Sequence, residues 1–145
     1  MMNEQIRSIM TKSIITVSPE TTLTDISKLF RNKRIHHIPV VKDLKLVGLI
    51  TTYDLWKLNQ PEENYQHIYV SEVMNRNVCK ISPLDKVGTA AELLMDKRFH
   101  ALPVVNLRGE LKGIVTSFDI LKYTLNKEYP NPILYKEVLG LRAQS

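Results

Sequence analysis

The sequence predicts an α/β (α+β) fold made of one β-α-β-β-α unit used twice, with the two copies packed on each other. Three observations carry this expectation. Residues 9–57 can be laid over residues 73–122 as a single repeated pattern. Within each copy the apolar period passes from a short β-branched run to helical spacing and back to two short apolar runs. Those last runs are nearly continuous, as strands covered on both faces are, so neither copy buries its sheet alone and the pair must associate.

The repeat aligns residue by residue. Met10 falls on Met74, Ser18-Pro19 on Ser82-Pro83, Leu29 on Leu93, Lys33-Arg34 on Lys97-Arg98, His36 on His100, and Pro39-Val40-Val41 on Pro103-Val104-Val105, all at one offset. An extra residue in the second copy, in the turn around Asn106 to Glu110, changes that offset. Leu46, Gly48, Thr51, Asp54 and Lys57 then meet Leu111, Gly113, Thr116, Asp119 and Lys122. A hairpin turn absorbs such a length change readily.

In copy one, Ile14 to Val17 is the expected first strand, and Leu23, Ile26, Leu29 and Phe30 recur at helical spacing behind Thr21 or Thr22 as cap. Ile38 to Val41 and Leu46 to Ile50 form a hairpin through Lys42 to Lys45, and a closing helix begins near Thr52. Copy two places Val87, Ala90, Ala91 and Leu94 on its helix, Leu102 to Val105 and Leu111 to Val115 in strands, and a last helix from about Ser117. The copies are expected to occupy residues 6–58 and 71–126. The linker at 59–70 is mostly polar, contains Pro61 and lacks a clear period. Residues 127–145 form a C-terminal extension in which Pro130-Asn131-Pro132 precedes a short helix from Ile133 to Leu139, ended by Gly140.

Bulk properties narrow the function. With 145 residues and 43% apolar content, the chain buries one compact unit and leaves no room for a large catalytic domain beside it. No run approaches the roughly 20 apolar residues of a membrane span, and Met1 to Met10 carries Glu4 and Arg7 where a signal peptide is apolar, so a cytoplasmic protein without a membrane partner is expected. Cys79 is the single cysteine, which excludes an internal disulfide and reads as a small buried strand residue. Twenty Lys and Arg against fifteen Asp and Glu give +5, which suits an anionic ligand, but no basic run argues for nucleic acid. No nucleophile and base, paired carboxylates or metal-ligand set stands at usable spacing, so an enzyme is not expected.

A Ser-Pro after the first strand, an apolar-Pro-Val-Val second strand, and Gly-x-x-Thr-x-x-Asp before a helix all occur twice and in the same order. Over about residues 6–125 the chain resembles the tandem cystathionine-beta-synthase (CBS) domain pair, or Bateman module. The resemblance implies that the copies pack by pseudo-twofold symmetry, sheets central and helices outside, leaving two clefts between them. It also implies a homodimer in which two chains form a flat disc.

Gly48 to Asp54 and Gly113 to Asp119 each bring a strand to the start of a helix, where unpaired N–H groups favour an anion. Thr51 and Thr116 offer hydroxyls there, and Asp54 and Asp119 offer carboxylates for ribose hydroxyls. The same Thr-x-x-Asp spacing also makes a helix cap with no ligand. The resemblance implies that Thr51 and Asp54 face Ser82 and the segment His100, Ala101, Leu102 and Pro103. It likewise implies that Thr116 and Asp119 face Thr16, Ser18 and the segment His36, His37, Ile38 and Pro39. The backbone of His37-Ile38 and Ala101-Leu102 would then read adenine, and His36 and His100 would face phosphate. Tyr53 and Phe118 stand where many family members carry a cation, which disfavours a triphosphate and leaves AMP, ADP or S-adenosylmethionine.

The expected function is therefore a regulatory module that binds an adenine nucleotide or S-adenosylmethionine as ligand, requires no cofactor or metal, and signals in trans to an effector protein that the sequence does not name. The alternative is a ligand-free dimerisation scaffold in which Thr and Asp only cap helices.

Overall fold

The computed structural model describes residues 2–97 and 99–129; the helix expected at Ile133 to Leu139 lies outside them. Copy one contains α1 (Leu23–Lys33), β1 (His37–Lys42), β2 (Lys45–Thr51) and α2 (Thr52–Leu58), and copy two contains α3 (Val87–Asp96), β3 (Ala101–Val105), β4 (Leu111–Thr116) and α4 (Ser117–Glu128). β1 pairs antiparallel with β2 and β3 with β4, each hairpin carrying a register shift at the equivalent place, Val40/Val41 and Val104/Val105. The mixed α/β class read from the repeat is the class observed.

The expected first strand of each copy shrinks to a single parallel bridge, Val17 with Val40 and Ile81 with Val104. The prolines explain this correction. Val17 donates to Pro39 O at 3.2 Å and accepts from Val41 N at 2.8 Å. Extending the ladder backward needs an N–H on Pro39, and extending it forward needs one on Pro19, and proline has none. In copy two Ile81 makes the same two bonds, 3.0 and 2.9 Å, and is hemmed by Pro103 and Pro83 in the same way. The Ser-Pro and Pro-Val-Val pieces of the motif thus set the strand's length together.

The segments leading into the two copies are exchanged. Ile6, fully buried, fills the core of copy two with Val87, Leu102, Val104 and Val115, while Val70 and Met74 fill the core of copy one with Leu23, Ile26, Ile38 and Ile50. Backbone pairs fix this crossing: Thr11 N and O bond Ile114 O and N at 2.9 and 3.0 Å, and Asn75 N and O bond Leu49 O and N at 2.9 and 3.0 Å. Gly48 and Gly113 permit it, because a Cβ there would stand 2.4 Å from Met74 Sδ and 2.6 Å from Met10 Sδ. Met95 and Trp56 are 79% and 75% exposed. On the same crossing arm Glu4 is gripped by Lys127 and Tyr123 of α4, which hold its carboxyl down to about 2.

The linker also differs from expectation. Glu62–His67 forms a 3-10 turn that buries Tyr65 in the first core, and the chain beyond it caps α1, with Ile68 O accepting from Leu23 N at 2.9 Å. Backbone therefore replaces the side-chain cap expected from Thr21 or Thr22; Thr22 takes the N-cap position without a side-chain bond. Cys79 is partly buried against the second core rather than in a strand.

The two hairpins meet at their turns. Leu46 N donates to Gly109 O at 3.0 Å and Leu111 N to Leu44 O at 3.2 Å. Asp43 and Leu44 turn with φ of 51° and 69°, a two-residue turn of the primed type. The longer second turn closes through Asn106, whose Oδ1 accepts from Arg108 N and Glu110 N, with Gly109 at φ 80°.

Candidate functional site: two clefts between the repeats

Each Gly-x-x-Thr-x-x-Asp motif folds into a strand that runs directly into a helix, and the Thr and Asp bond each other. Thr51 Oγ1 accepts from Asp54 N at 3.2 Å, and Asp54 Oδ2 accepts from Thr51 N at 2.8 Å and from Thr51 Oγ1 at 3.0 Å. Thr116 and Asp119 repeat the arrangement at 3.2, 2.9 and 3.0 Å. These are reciprocal capping boxes, so the capping role weighed for the motif is present in both copies. What remains for a ligand is the second carboxylate oxygen. Asp119 Oδ1 accepts from Thr11 Oγ1 at 3.3 Å, whereas Asp54 Oδ1 has no hydrogen-bond partner among the described residues.

Two cavities open beside these turns. The first, about 670 Å³, is walled by Leu49, Thr51, Thr52 and Tyr53 from copy one, by Asn75, and by Phe99, His100 and Ala101 from copy two, with His36 and His37 alongside. The second, about 430 Å³, is walled by Thr11, Ile114, Thr116, Ser117 and Phe118, by Ile35, His36 and His37, and additionally by Ser13, Ile14 and Ile15, with His100 alongside. The two are related by the repeat: Thr51 faces His100 and Ala101 just as Thr116 faces His36 and His37. Each cleft is therefore shared between copies.

Other expected residues stand elsewhere. Ile38, Pro39, Leu102 and Pro103 are buried in the cores and line neither cavity. Ser82 and Ser18 shape the turns before α3 and α1: Ser82 Oγ accepts from Leu84 N at 3.2 Å and Ser18 Oγ lies 3.3 Å from Thr21 Oγ1. Thr16 lines a separate pocket of about 190 Å³ by the hairpin turns. Neither Asp54 nor Asp119 is part of the wall of its own cleft. Conversely Thr11, Asn75, Phe99 and Ile35 are wall residues that the motifs did not indicate. The repeat did hold the signal, since Thr11 aligns with Asn75 and Ile35 with Phe99, but only the exchange of arms shows that Thr11 and Asn75 face a cleft.

His36, His37 and His100 stand between the two cavities and line both, with the His37 and His100 rings 6.2 Å apart. Among the described residues no metal-holding group of three His, Cys, Asp or Glu is found. Burial lowers the pKa of His37 below 6.5, and His100 and His36 lower it further, against an opposing pull from Asp54. The unfolded chain then binds a proton at a higher pH than the folded one does. Stability is thus unaffected by His37 above 6.5 and decreases as pH falls from 6.5 toward the lowered value. The melting temperature measured between pH 7 and 5 should fall, and His37→Gln should flatten that slope; an unchanged slope would remove His37 as its origin.

Comparison with known proteins agrees with this geometry. The family model of the CBS domain matches residues 6–55 and 70–126. The chain is 31% identical over 132 residues to protein MJ1225 of Methanocaldococcus jannaschii, covering 83% of this chain and 47% of that protein. It superposes on CBSX2 in complex with AMP, a protein of Arabidopsis thaliana, with TM-score 0.78 and 27% identity, covering 86% of this chain and 98% of that one. The CBS domain pair of MJ0100 in complex with 5′-methylthioadenosine and S-adenosyl-L-methionine gives TM-score 0.74 and 28% identity, covering 86% and 98%. The chain spans about a fifth to a half of the first curated relatives it matches. Duplicated motifs, exchanged arms, paired clefts and the two family-model matches converge: this chain belongs to the CBS domain family and is a CBS pair.

Proposed function

We propose that this CBS pair is a regulatory module, not an enzyme, that binds an adenosine-containing ligand between its repeats and passes the change to an effector protein in the cytoplasm. The observation that carries the reading is the first cleft, where Thr51 of one repeat stands across about 670 Å³ from His100 and Ala101 of the other. A ligand held by both walls favours one arrangement of the repeats, which is the differential affinity a sensor needs. Solved CBS pairs similar to this chain hold AMP in one case and S-adenosyl-L-methionine with 5′-methylthioadenosine in the other. Tyr53 and Phe118, aromatic and exposed beside the clefts, favour a monophosphate or an adenosyl sulfonium over a triphosphate.

The exposed faces support self-association. Tyr53 and Trp56 on α2, with rings 5.6 Å apart, and Phe118 and Leu121 on α4 occupy equivalent places in the two repeats, and all are more than half exposed. A homodimer would cover both faces at once.

The complete capping boxes favour a second reading, a scaffold in which Thr and Asp serve only the helices. Calorimetry with AMP, ATP and S-adenosylmethionine separates the two. The sensor reading expects saturable heat with AMP or S-adenosylmethionine and weaker binding of ATP. Absence of heat with all three would leave the scaffold. Native mass spectrometry of the same sample reports the oligomer.

A further inference from the structure

The two hairpin turns carry leucines that neither core uses. Leu44 is 70% exposed and Leu107 wholly so, and their turns are joined by the bonds from Leu46 N to Gly109 O and from Leu111 N to Leu44 O. Leu44 also sits at φ 69°, in a primed turn that favours Asn or Gly, where a bulky side chain strains the backbone. Four exposed cations, Lys42, Lys45, Arg108 and Lys112, flank these leucines. Lys42 stands opposite Lys45 in the hairpin, where like charges repel, and among the described residues none of the four is in an ion pair. Of the two acids on the turns, Glu110 already accepts from Asn106 Nδ2 at 2.8 Å, which leaves Asp43. A hollow of about 190 Å³, walled in part by Val41, Leu44, Leu111 and Lys112, opens beside the turns.

Resting on the effector reading above, we propose that the paired hairpin turns are the face that holds the effector protein, through a segment carrying Asp or Glu on both sides of an apolar side chain. The apolar side chain enters the hollow beside Leu44, and the carboxylates meet the four cations. A second copy of the chain docked symmetrically would bring the same positive face and be repelled. An anionic bilayer fits poorly as well, because Asp43 stands beside Leu44 at the tip and a hollow serves a side chain rather than a flat surface. The face is built half from each repeat, and β2 and β4 run from it to Thr51 and Thr116 at the clefts. A ligand that shifts one repeat against the other therefore shifts the two halves of the docking face.

Fluorescence anisotropy of a labelled synthetic peptide with Glu on both sides of a central Leu pair, titrated with the full chain at low salt, tests this. Saturable binding with Kd below about 1 mM is expected, and the same peptide with Lys in place of Glu should not bind. Leu44→Asn should weaken binding about fivefold and leave the melting temperature unchanged or higher, since Asn accepts a positive φ. Lys45→Glu with Lys112→Glu should weaken it about tenfold, whereas Lys28→Glu with Lys33→Glu, the same charge change on α1, should keep it within about twofold. No binding by the wild type, equal weakening by the α1 pair, or a Leu44→Asn variant that melts lower and binds as before would each overturn the docking face. Leu44-dependent binding to phosphatidylcholine–phosphatidylserine vesicles without peptide binding would assign the face to lipid instead. Calorimetry with AMP decides the nucleotide reading separately, so either can fail without the other.

Discussion

Ile6→Ala is expected to destabilise the protein by about 2–5 kcal/mol, the range for truncating a fully buried isoleucine and leaving a cavity. Nothing about its place near the start of the chain suggests so large an effect, since such segments are often loosely held. The reason is the crossing. Ile6 has no exposed surface and packs on Val87, Leu102 and Val115, all of copy two, and its N–H donates to Asp85 O at 2.8 Å. Denaturant titration measures the total loss, and native-state hydrogen exchange locates it. Protection should drop most in α3 and the β3–β4 hairpin, and less in β1 and β2. A cost below about 1 kcal/mol, or a loss concentrated in copy one, would contradict the exchanged arrangement.

Asp54→Ala should weaken AMP binding by about 1.5–3 kcal/mol, roughly ten- to a hundredfold, the scale of a hydrogen bond to a charged group. The variant also loses a helix cap, which by itself costs about 0.5–2 kcal/mol of stability. Asp119→Ala is the matched control, because Asp119 makes the same three bonds to Thr116 that Asp54 makes to Thr51. Both variants should lose similar stability by thermal melting, and each should weaken only the nucleotide site at its own helix start. Loss of both sites in either variant would assign the effect to the caps, and full affinity in both would remove these carboxylates from the binding model.

The walls of the two clefts share three imidazoles and contain no Lys or Arg among their lining residues. His37 is kept from protonating by burial and by its neighbours His100 and His36, so a phosphate placed among them would favour the charged form and draw in a proton. A phosphate ligand held there would therefore link its binding to pH at the place where both clefts meet.

Much of this protein was legible before any coordinates. The duplicated apolar periods fixed the class, the helices and both hairpins, because local burial patterns repeat wherever the local fold repeats. The Thr-x-x-Asp caps were legible too, since a capping box is closed by residues three apart in one chain segment. The first strands were misjudged for length, although Pro39 and Pro19 already carried the reason, because a missing N–H matters only once the partner strand and its register are known. What only the tertiary structure decided was which copy each arm joins, and hence that Thr11 and Asn75 face the clefts. That choice depends on Met10 and Met74 fitting over Gly113 and Gly48 across the molecule. Contacts between residues so far apart in sequence leave no periodicity in the chain that makes them.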